Sequence, residues 1–396
     1  MTPSGTEVTE RKPVAFVPEE AFLGIPGKSV NPPPSAEALK QFRKVERWAL
    51  QAASADILDT KAMRTCCRAV IPPPKKIPGS VVQKVIGVDV WKTLNETFHY
   101  GGLITCGSVW ACPICAGKIS ERKRVELTSA LAKNKEQGGS AQLWTFTAPH
   151  HLGESLKSLN DAMSIARRTM LNRKPWKRLI SSLGVKGTIR GLEVTFSFQN
   201  GWHVHFHVLA VLSGVPALSL QSIEEVIYQL WRSACLDSGL SEPSRAHGVS
   251  VEGGEQAAAY VGKWGLEHEM TKGHIKKGKE GHLTPFDFLR QYLAGDLRYG
   301  PLFKEYAQEF KGKRQLVWSE GLRDRLDLGQ EETDEEIAAR QDEKASLFAS
   351  IPLNVWRVIL KQKKRGQVLE VCAQGQEALF DYMLGLMESA GEVGCG

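Results

Sequence analysis

The stretch Gly201-Trp202-His203-Val204-His205-Phe206-His207-Val208-Leu209 sets three histidines between apolar residues. A β-strand sends successive side chains to opposite faces. His203, His205 and His207 therefore share one face, and Val204, Phe206 and Val208 share the other. Such a row is a set of metal ligands on a rigid support, because neutral imidazole is the commonest side-chain metal ligand. The competing explanation is an ordinary amphipathic strand with histidine as its polar residue. With 10 histidines in 396 residues, three at alternate positions favour the ligand row.

The preceding residues alternate too. Leu192, Val194, Phe196 and Phe198 face one way, and Glu193, Thr195 and Ser197 the other. For the two polar faces to coincide in a hairpin, the positions of each cross-strand pair must sum to an even number. That requires an odd loop. A three-residue loop, Gln199-Asn200-Gly201, meets the condition, with Gly201 supplying a positive φ. It sets Phe198 opposite Trp202 and Glu193 opposite His207, whereas a two-residue Asn-Gly turn would put Glu193 on the wrong face. The candidate metal ligands are His205, His207, His203 and Glu193. This mixed nitrogen and oxygen set suits Mg²⁺ or Mn²⁺ with positions open to a phosphate, or Zn²⁺ held more tightly.

Tyr260 and Lys263 fall three apart in a stretch, 254 to 270, that predicts a helix, so their side chains are neighbours. A tyrosine can attack phosphorus as its phenolate and form a covalent intermediate. Its ordinary pKa of about 10 calls for help, which a metal-polarised phosphate and an adjacent ammonium supply. Alone, a Tyr-x-x-Lys pair is commonplace on helices, a half-buried tyrosine beside a solvated lysine. The histidine strand is what gives it weight.

Five of the eight cysteines lie between Cys66 and Cys115. Cys106, Cys112 and Cys115, in the order Cys106-x5-Cys112-Pro113-Ile114-Cys115, carry a structural zinc signature. Cys66, Cys67 or His99 is available as the fourth ligand, with Cys66 taken as the candidate. A redox role for the C-x-x-C pair would leave the other thiols unexplained. Cys235, Cys372 and Cys395 read as ordinary core or tail residues. Lys272, Lys276, Lys277 and Lys279, then Lys311, Lys313 and Arg314, are either a solvated basic face or phosphate-backbone contacts. On the second reading Lys272, Lys276, Lys277 and Arg314 are the candidate DNA contacts.

The net charge of +7 fits a polyanionic partner, and 42% hydrophobic residues supply ample core. No apolar run reaches the roughly 18 residues of a membrane span. Met1 to Lys12 has no apolar secretory core, and the clustered free cysteines suit a reduced, cytoplasmic compartment. Residues 1–34 read as a disordered Pro-rich arm. Residues 35–135 read as a helical and Cys-rich zinc-binding region, with helices opening after Ser35 and at Ile119 to Lys135. Residues 136–330 alternate strand and helix patterns and predict an α+β domain with a central antiparallel sheet and flanking helices. Its elements include a strand at Leu143 to Thr147 and an amphipathic helix through Leu156, Leu159, Met163, Ala166 and Met170. Residues 331–396 read as an acidic linker and a C-terminal helical module, with helices at Pro352 to Lys363 and Gln374 to Leu386.

Taken in order, these blocks resemble the rolling-circle plasmid replication initiators of the HUH endonuclease superfamily, in the actinobacterial and Gram-positive group with a cysteine-rich N-terminal segment. The matching text is Thr105-Cys106-Gly107-Ser108-Val109-Trp110-Ala111-Cys112-Pro113-Ile114-Cys115, Leu143-Trp144-Thr145-Phe146-Thr147, Gly191-Leu192-Glu193-Val194-Thr195 with the histidine strand, and Ala259-Tyr260-Val261-Gly262-Lys263. The resemblance covers roughly residues 60 to 330, and the blocks are specific only together. It implies that His205-Phe206-His207 is the histidine–hydrophobe–histidine motif and that Tyr260 is the nucleophile. Tyr260 would cut one strand at the double-strand origin, keep the 5′-phosphate as an ester and leave a 3′-OH to prime synthesis. It also implies origin DNA, single-stranded at the cut, as substrate, and a host helicase and replication machinery as partners. No membrane partner is implied, and an oligomer is compatible. Two alternatives share part of the evidence: an HUH relaxase or transposase, and a non-catalytic zinc-containing DNA-binding protein. One position departs from the pattern. Some relatives place a glutamate four residues before the tyrosine to activate the terminating water, and Gln256 stands there. Glu255, Glu252 or Glu267, or a tyrosine from a second subunit, is left for that role.

Overall fold

The computed structural model describes residues 36–72, 87–262, 282–341 and 344–391. In chain order the elements are α1 (Ala36–Leu58), α2 (Lys61–Thr65), β1 (Gly87–Lys92), β2 (Phe98–Gly101), α3 (Pro113–Glu136), β3 (Ser140–Phe146), α4 (Leu156–Asn172), α5 (Lys174–Ser182), β4 (Val185–Ser197) and β5 (Gly201–Leu212). Then come α6 (Leu220–Asp237), β6 (Val249–Glu252), α7 (Gly254–Gly262), α8 (Pro285–Leu293), α9 (Tyr299–Glu309), β7 (Leu316–Trp318), α10 (Leu322–Arg325), α11 (Asp334–Ala339), β8 (Ser346–Pro352), α12 (Leu353–Lys361), α13 (Arg365–Val371) and α14 (Gln376–Ser389).

The chain is an α+β fold, and its main sheet is antiparallel in the order β6-β3-β5-β4-β7. β4 and β5 form the expected hairpin with an odd loop of three residues, so the histidines and Glu193 share a face. The register differs by one step. Glu193 lies opposite His205, Phe196 opposite Trp202 and Ser197 opposite Gly201. Phe198 belongs to the turn, where its ring meets Tyr299 edge-on and Arg298 lies 4.7 Å from its centroid. The Ser197 hydroxyl accepts the Asn200 N–H at 3.0 Å and closes the turn one residue early. Gly201 has a φ of +78° as expected, but it opens β5 rather than ending the loop.

Alternation divides the sheet into two unlike faces. The even-numbered residues Trp144, Phe146, Leu192, Val194, Val204 and Phe206 are buried in the largest core, beneath α4, α5 and α6. Helix α4 follows the predicted stripe: Leu156, Leu159, Met163, Ala166 and Met170 are all buried, and the Ser155 side chain caps it at the Ser158 N–H. On the other face, Leu143, Ile189, Leu209 and Val211 pack with Leu127 of α3 and with Ala257 and Val261 of α7. These two helices cover only part of that face, and the histidines occupy the rest beside α7.

Helix α3 starts at Pro113, six residues before the sequence placed it. Pro113 sits in the first turn, where a missing N–H costs nothing. Cys112 is therefore the N-cap and Cys115 lies one turn in. Part of the acidic 331–345 stretch is the short helix α11, whose Asp334 meets the buried Lys123 of α3 at 2.7 Å. The C-terminal residues are helical at α12 and α14 as expected, but they also contribute a strand. β8 pairs with β1 in a second antiparallel sheet, β2-β1-β8, with Val88 opposite Ile351. Its core joins Val88 and Val90 to Trp356, Ile359, Val368 and Leu379. Ser35 and Cys395 lie outside the described residues.

Candidate functional site

The histidine face is built from four neighbouring elements. β5 presents His203, His205 and His207, each half-buried, and β4 presents Glu193 beside them. Glu193 Oε2 lies 3.0 Å from His207 Nε2, reaching one step diagonally across the hairpin. β3 supplies Thr145, opposite His207 in register, with its hydroxyl 3.1 Å from His207 Nδ1. Both nitrogens of His207 are thus held, which fixes the ring. The His205 and His207 rings are parallel, 5.8 Å apart, and His203 stacks on His205 at 4.0 Å. Burial, then the nearby imidazoles, push the His203 pKa down to about 3, so this ring is a neutral acceptor.

Two histidines that sequence reasoning passed over extend the row. His150 lies 4.4 Å from His203, ring to ring, and His282 lies 6.0 Å from it. The buried Nδ1 of His282 has no hydrogen-bond partner among the described residues. His150 comes from the loop after β3, and no strand pattern pointed to it. Thr145 could have been found, because it shares the alternation of Leu143 and Thr147 within the quoted motif.

Helix α7 brings Tyr260 to this face. Ala257 and Val261 are buried against the sheet and α3, which turns Tyr260, half-buried, toward His207 with the ring centroids 5.0 Å apart. The helix begins at Gly254, so Glu255 is already helical and exposed. At 100° per residue it lies about 140° around the axis from Tyr260. A later helix start, which would have freed Glu255 to turn inward, is not what the fold adopts. Glu252 ends β6 and is exposed. Lys263, Glu267, Lys272, Lys276, Lys277 and Lys279 lie outside the described residues. Arg314 is exposed and pairs with Glu331 at 3.4 Å.

The cysteines converge. Among the described residues, Cys66, Cys106, Cys112 and Cys115 are the one group of three or more metal-binding side chains whose ligand atoms all lie within 4.8 Å of one another. Cys66 Sγ is 3.6 Å from those of both Cys112 and Cys115, and Cys106 Sγ is 3.7 Å from Cys115. A tetrahedral ion with bonds of about 2.3 Å needs sulfurs about 3.8 Å apart. The cluster therefore fits a metal such as zinc. Mutual hydrogen bonds pull the Cys66 and Cys115 thiols below the ordinary thiol range and push Cys106 and Cys112 above it, as expected of thiols crowded together. Cys67 stands outside the group, 3.8 Å from Cys66. Arg365 of α13 donates to the Cys67 carbonyl at 3.0 Å and to Gln51 Oε1 at 2.7 Å, tying the C-terminal residues to this segment.

Residues 103–216 match a family of replication proteins. The chain is 27% identical over 312 residues to "Protein rep" of Streptomyces lividans, covering 61% of this chain and 68% of that one. It is 24% identical over 218 residues to "Protein rep" of Lentilactobacillus hilgardii, covering 50% and 65%. A shorter match, 34% over 137 residues, is to "Neomycin resistance protein" of Streptomyces cyanogenus, covering 28% of this chain and 31% of that one. No solved structure matches the chain. The resemblance to replication initiators read from the motifs is borne out by these matches. Among the described residues no helix is long and apolar enough to cross a membrane.

Proposed function

We propose that this chain is a plasmid replication initiator that nicks one strand of origin DNA through a covalent tyrosine intermediate. The observation that carries the reading is the meeting of Tyr260 with a fixed imidazole–carboxylate pair, His207 and Glu193, on the part of the sheet face that α3 and α7 leave uncovered.

Glu193 and His207 would hold a divalent ion such as Mg²⁺ or Mn²⁺, and His205 would join them by a turn of its side chain, since the three ligand atoms do not all lie within 4.8 Å of one another. Two neighbouring ligand atoms of an octahedral ion with bonds of about 2.1 Å lie about 3.0 Å apart, and Glu193 Oε2 and His207 Nε2 have that spacing. Thr145 then accepts from Nδ1 and keeps Nε2 aimed at the ion. Such an ion would polarise a phosphate oxygen. Tyr260 Oη loses its proton to solvent and attacks phosphorus, the bond from phosphorus to the 3′-oxygen breaks, and the 3′-oxygen takes up one proton and leaves as a hydroxyl. The 5′-phosphate stays on Tyr260, so the bond energy is kept for rejoining. The four cysteines would hold Zn²⁺ as a structural ion that fixes the start of α3, the helix on which α7 packs. Origin DNA and a host helicase are the partners this role requires.

Tyr260→Phe tests the reading. The variant should form no covalent DNA adduct while keeping origin binding. Full nicking by the variant contradicts it.

A further inference from the structure

Residues 162–192 carry eight lysines and arginines and no aspartate or glutamate. This segment is the second half of α4, all of α5 and the first half of β4; α4 and α5 lie on the side of the sheet away from the histidines, where Arg173 already pairs with Asp237, while Lys186 reaches Asn134 and Gln137 on the α3 side. Lys174, Lys177 and Arg178 are exposed on α5, and Arg168 is exposed on α4. At the inner edge of this surface are two half-buried arginines, Arg167 and Arg190.

Buried cations are costly unless paired or hydrogen-bonded, and three others in this chain have such partners, Arg365 a neutral one. Arg290 lies 2.7 Å from Glu46, Lys123 meets Asp334, and Arg365 donates to Gln51. Arg190 and Arg167 have neither a carboxylate nor a hydrogen bond among the described residues. Arg190 points to the helix-covered face, opposite Val208 and Val317, with its guanidinium 5.3 Å from the centroid of Phe206. Burial, then repulsion from Arg167, hold its pKa down to about 10. Two residues before Val317 of β7, Gln315 is buried, and its Oε1 has no hydrogen-bond partner among the described residues. The assignment of amide oxygen and nitrogen can be exchanged, and a turned amide would offer its NH₂ to an anion.

We propose that Arg190 and Arg167 hold a phosphate of a DNA backbone, and that the α4–α5–β4 surface is a second DNA contact on the back of the sheet. The inference deepens the reading of the chain as a DNA-acting protein and rests on it. Two guanidiniums close enough to repel one another suit a phosphate, which accepts paired N–H groups. Half-buried guanidiniums on a surface that also carries the exposed Lys174, Lys177 and Arg178 suit a protruding backbone phosphate better than the flat surface of a lipid bilayer.

The test is binding of the full chain to a labelled 30-base-pair duplex of arbitrary sequence, from 50 to 200 mM salt. The Arg167→Gln/Arg190→Gln double variant should bind about five- to tenfold more weakly, and its salt slope should be shallower by about one. Thermal melting checks that it folds. Arg167→Gln alone, at a helix surface, should show a smaller loss of the same sign. An unchanged affinity and slope in both variants overturns the proposal. So does an arginine-dependent effect of inorganic phosphate on melting, or of phosphatidylglycerol vesicles on binding, without any effect on the duplex. A chain unable to cut DNA leaves the test intact, because binding alone is read.

Discussion

Glu193 Oε2 and His207 Nε2 lie 3.0 Å apart although the strand register pairs Glu193 with His205. The carboxylate leans one step along the hairpin and reaches the imidazole that Thr145 already holds from the other side. This diagonal places two unlike ligand atoms at the spacing one ion requires. It also selects His207, the histidine nearest Tyr260, as the anchor of the site.

Glu193→Gln keeps the side-chain shape and removes the charge. It should raise the Mn²⁺ concentration needed for half-maximal cleavage more than tenfold, with little change in melting temperature. Titration of cleavage against Mn²⁺ checks this, and an unchanged curve excludes Glu193 as a ligand.

Thr145→Val removes the hydroxyl at His207 Nδ1 and nothing else of comparable size. Loss of such a supporting partner typically weakens a metal site by about 10- to 100-fold. The same titration should shift in that range. Saturating Mn²⁺ should restore much of the rate, since Thr145 supports a ligand rather than touching the phosphate.

The purified chain should carry one tightly bound zinc. Cys66→Ser should lose it, and Cys67→Ala should keep it, because Cys67 stands outside the converging group. Metal analysis of the two variants separates the neighbouring thiols. Stripping the zinc with a chelator should lower the melting temperature, because the Cys66 segment and the first turn of α3 are joined through the ion.

Arg290 lies between Glu46 of α1 and Asp287 of α8, and all three are buried. Arg290→Ala leaves two carboxylates buried without their cation, which costs about 3–5 kcal/mol. Denaturant unfolding should show a loss of that order. A loss below 1 kcal/mol (the ordinary range for an exposed ion pair) would mean that water reaches these groups.

Much of the site was legible in the sequence because it is local. The parity of the hairpin follows from alternation alone, and it put Glu193 on the histidine face. The cysteine spacing pointed to three ligands, and Cys66 was among the candidates for the fourth. What escaped depends on distant packing. The one-step register shift follows from Phe198 settling against Tyr299 and Arg298, about a hundred residues further along. Thr145 carried a signal in the alternation of its own strand, whereas His150 reaches the site from the loop after β3, which only the fold sets beside β5. Strand β8 has little alternation of its own and exists because β1 offers it an edge. Helical spacing alone sets Glu255 about 140° from Tyr260, and only the start of α7 at Gly254 decides that it stays there.

The most direct test of the central claim is to map the attachment site on the protein. The full chain is incubated with a labelled single-stranded origin oligonucleotide and Mn²⁺, digested, and the DNA-linked peptide sequenced by mass spectrometry. The account predicts one adduct, a 5′-phosphate ester on Tyr260, that disappears in Tyr260→Phe. Adduct on another residue, or cleavage with no adduct at all, would contradict it.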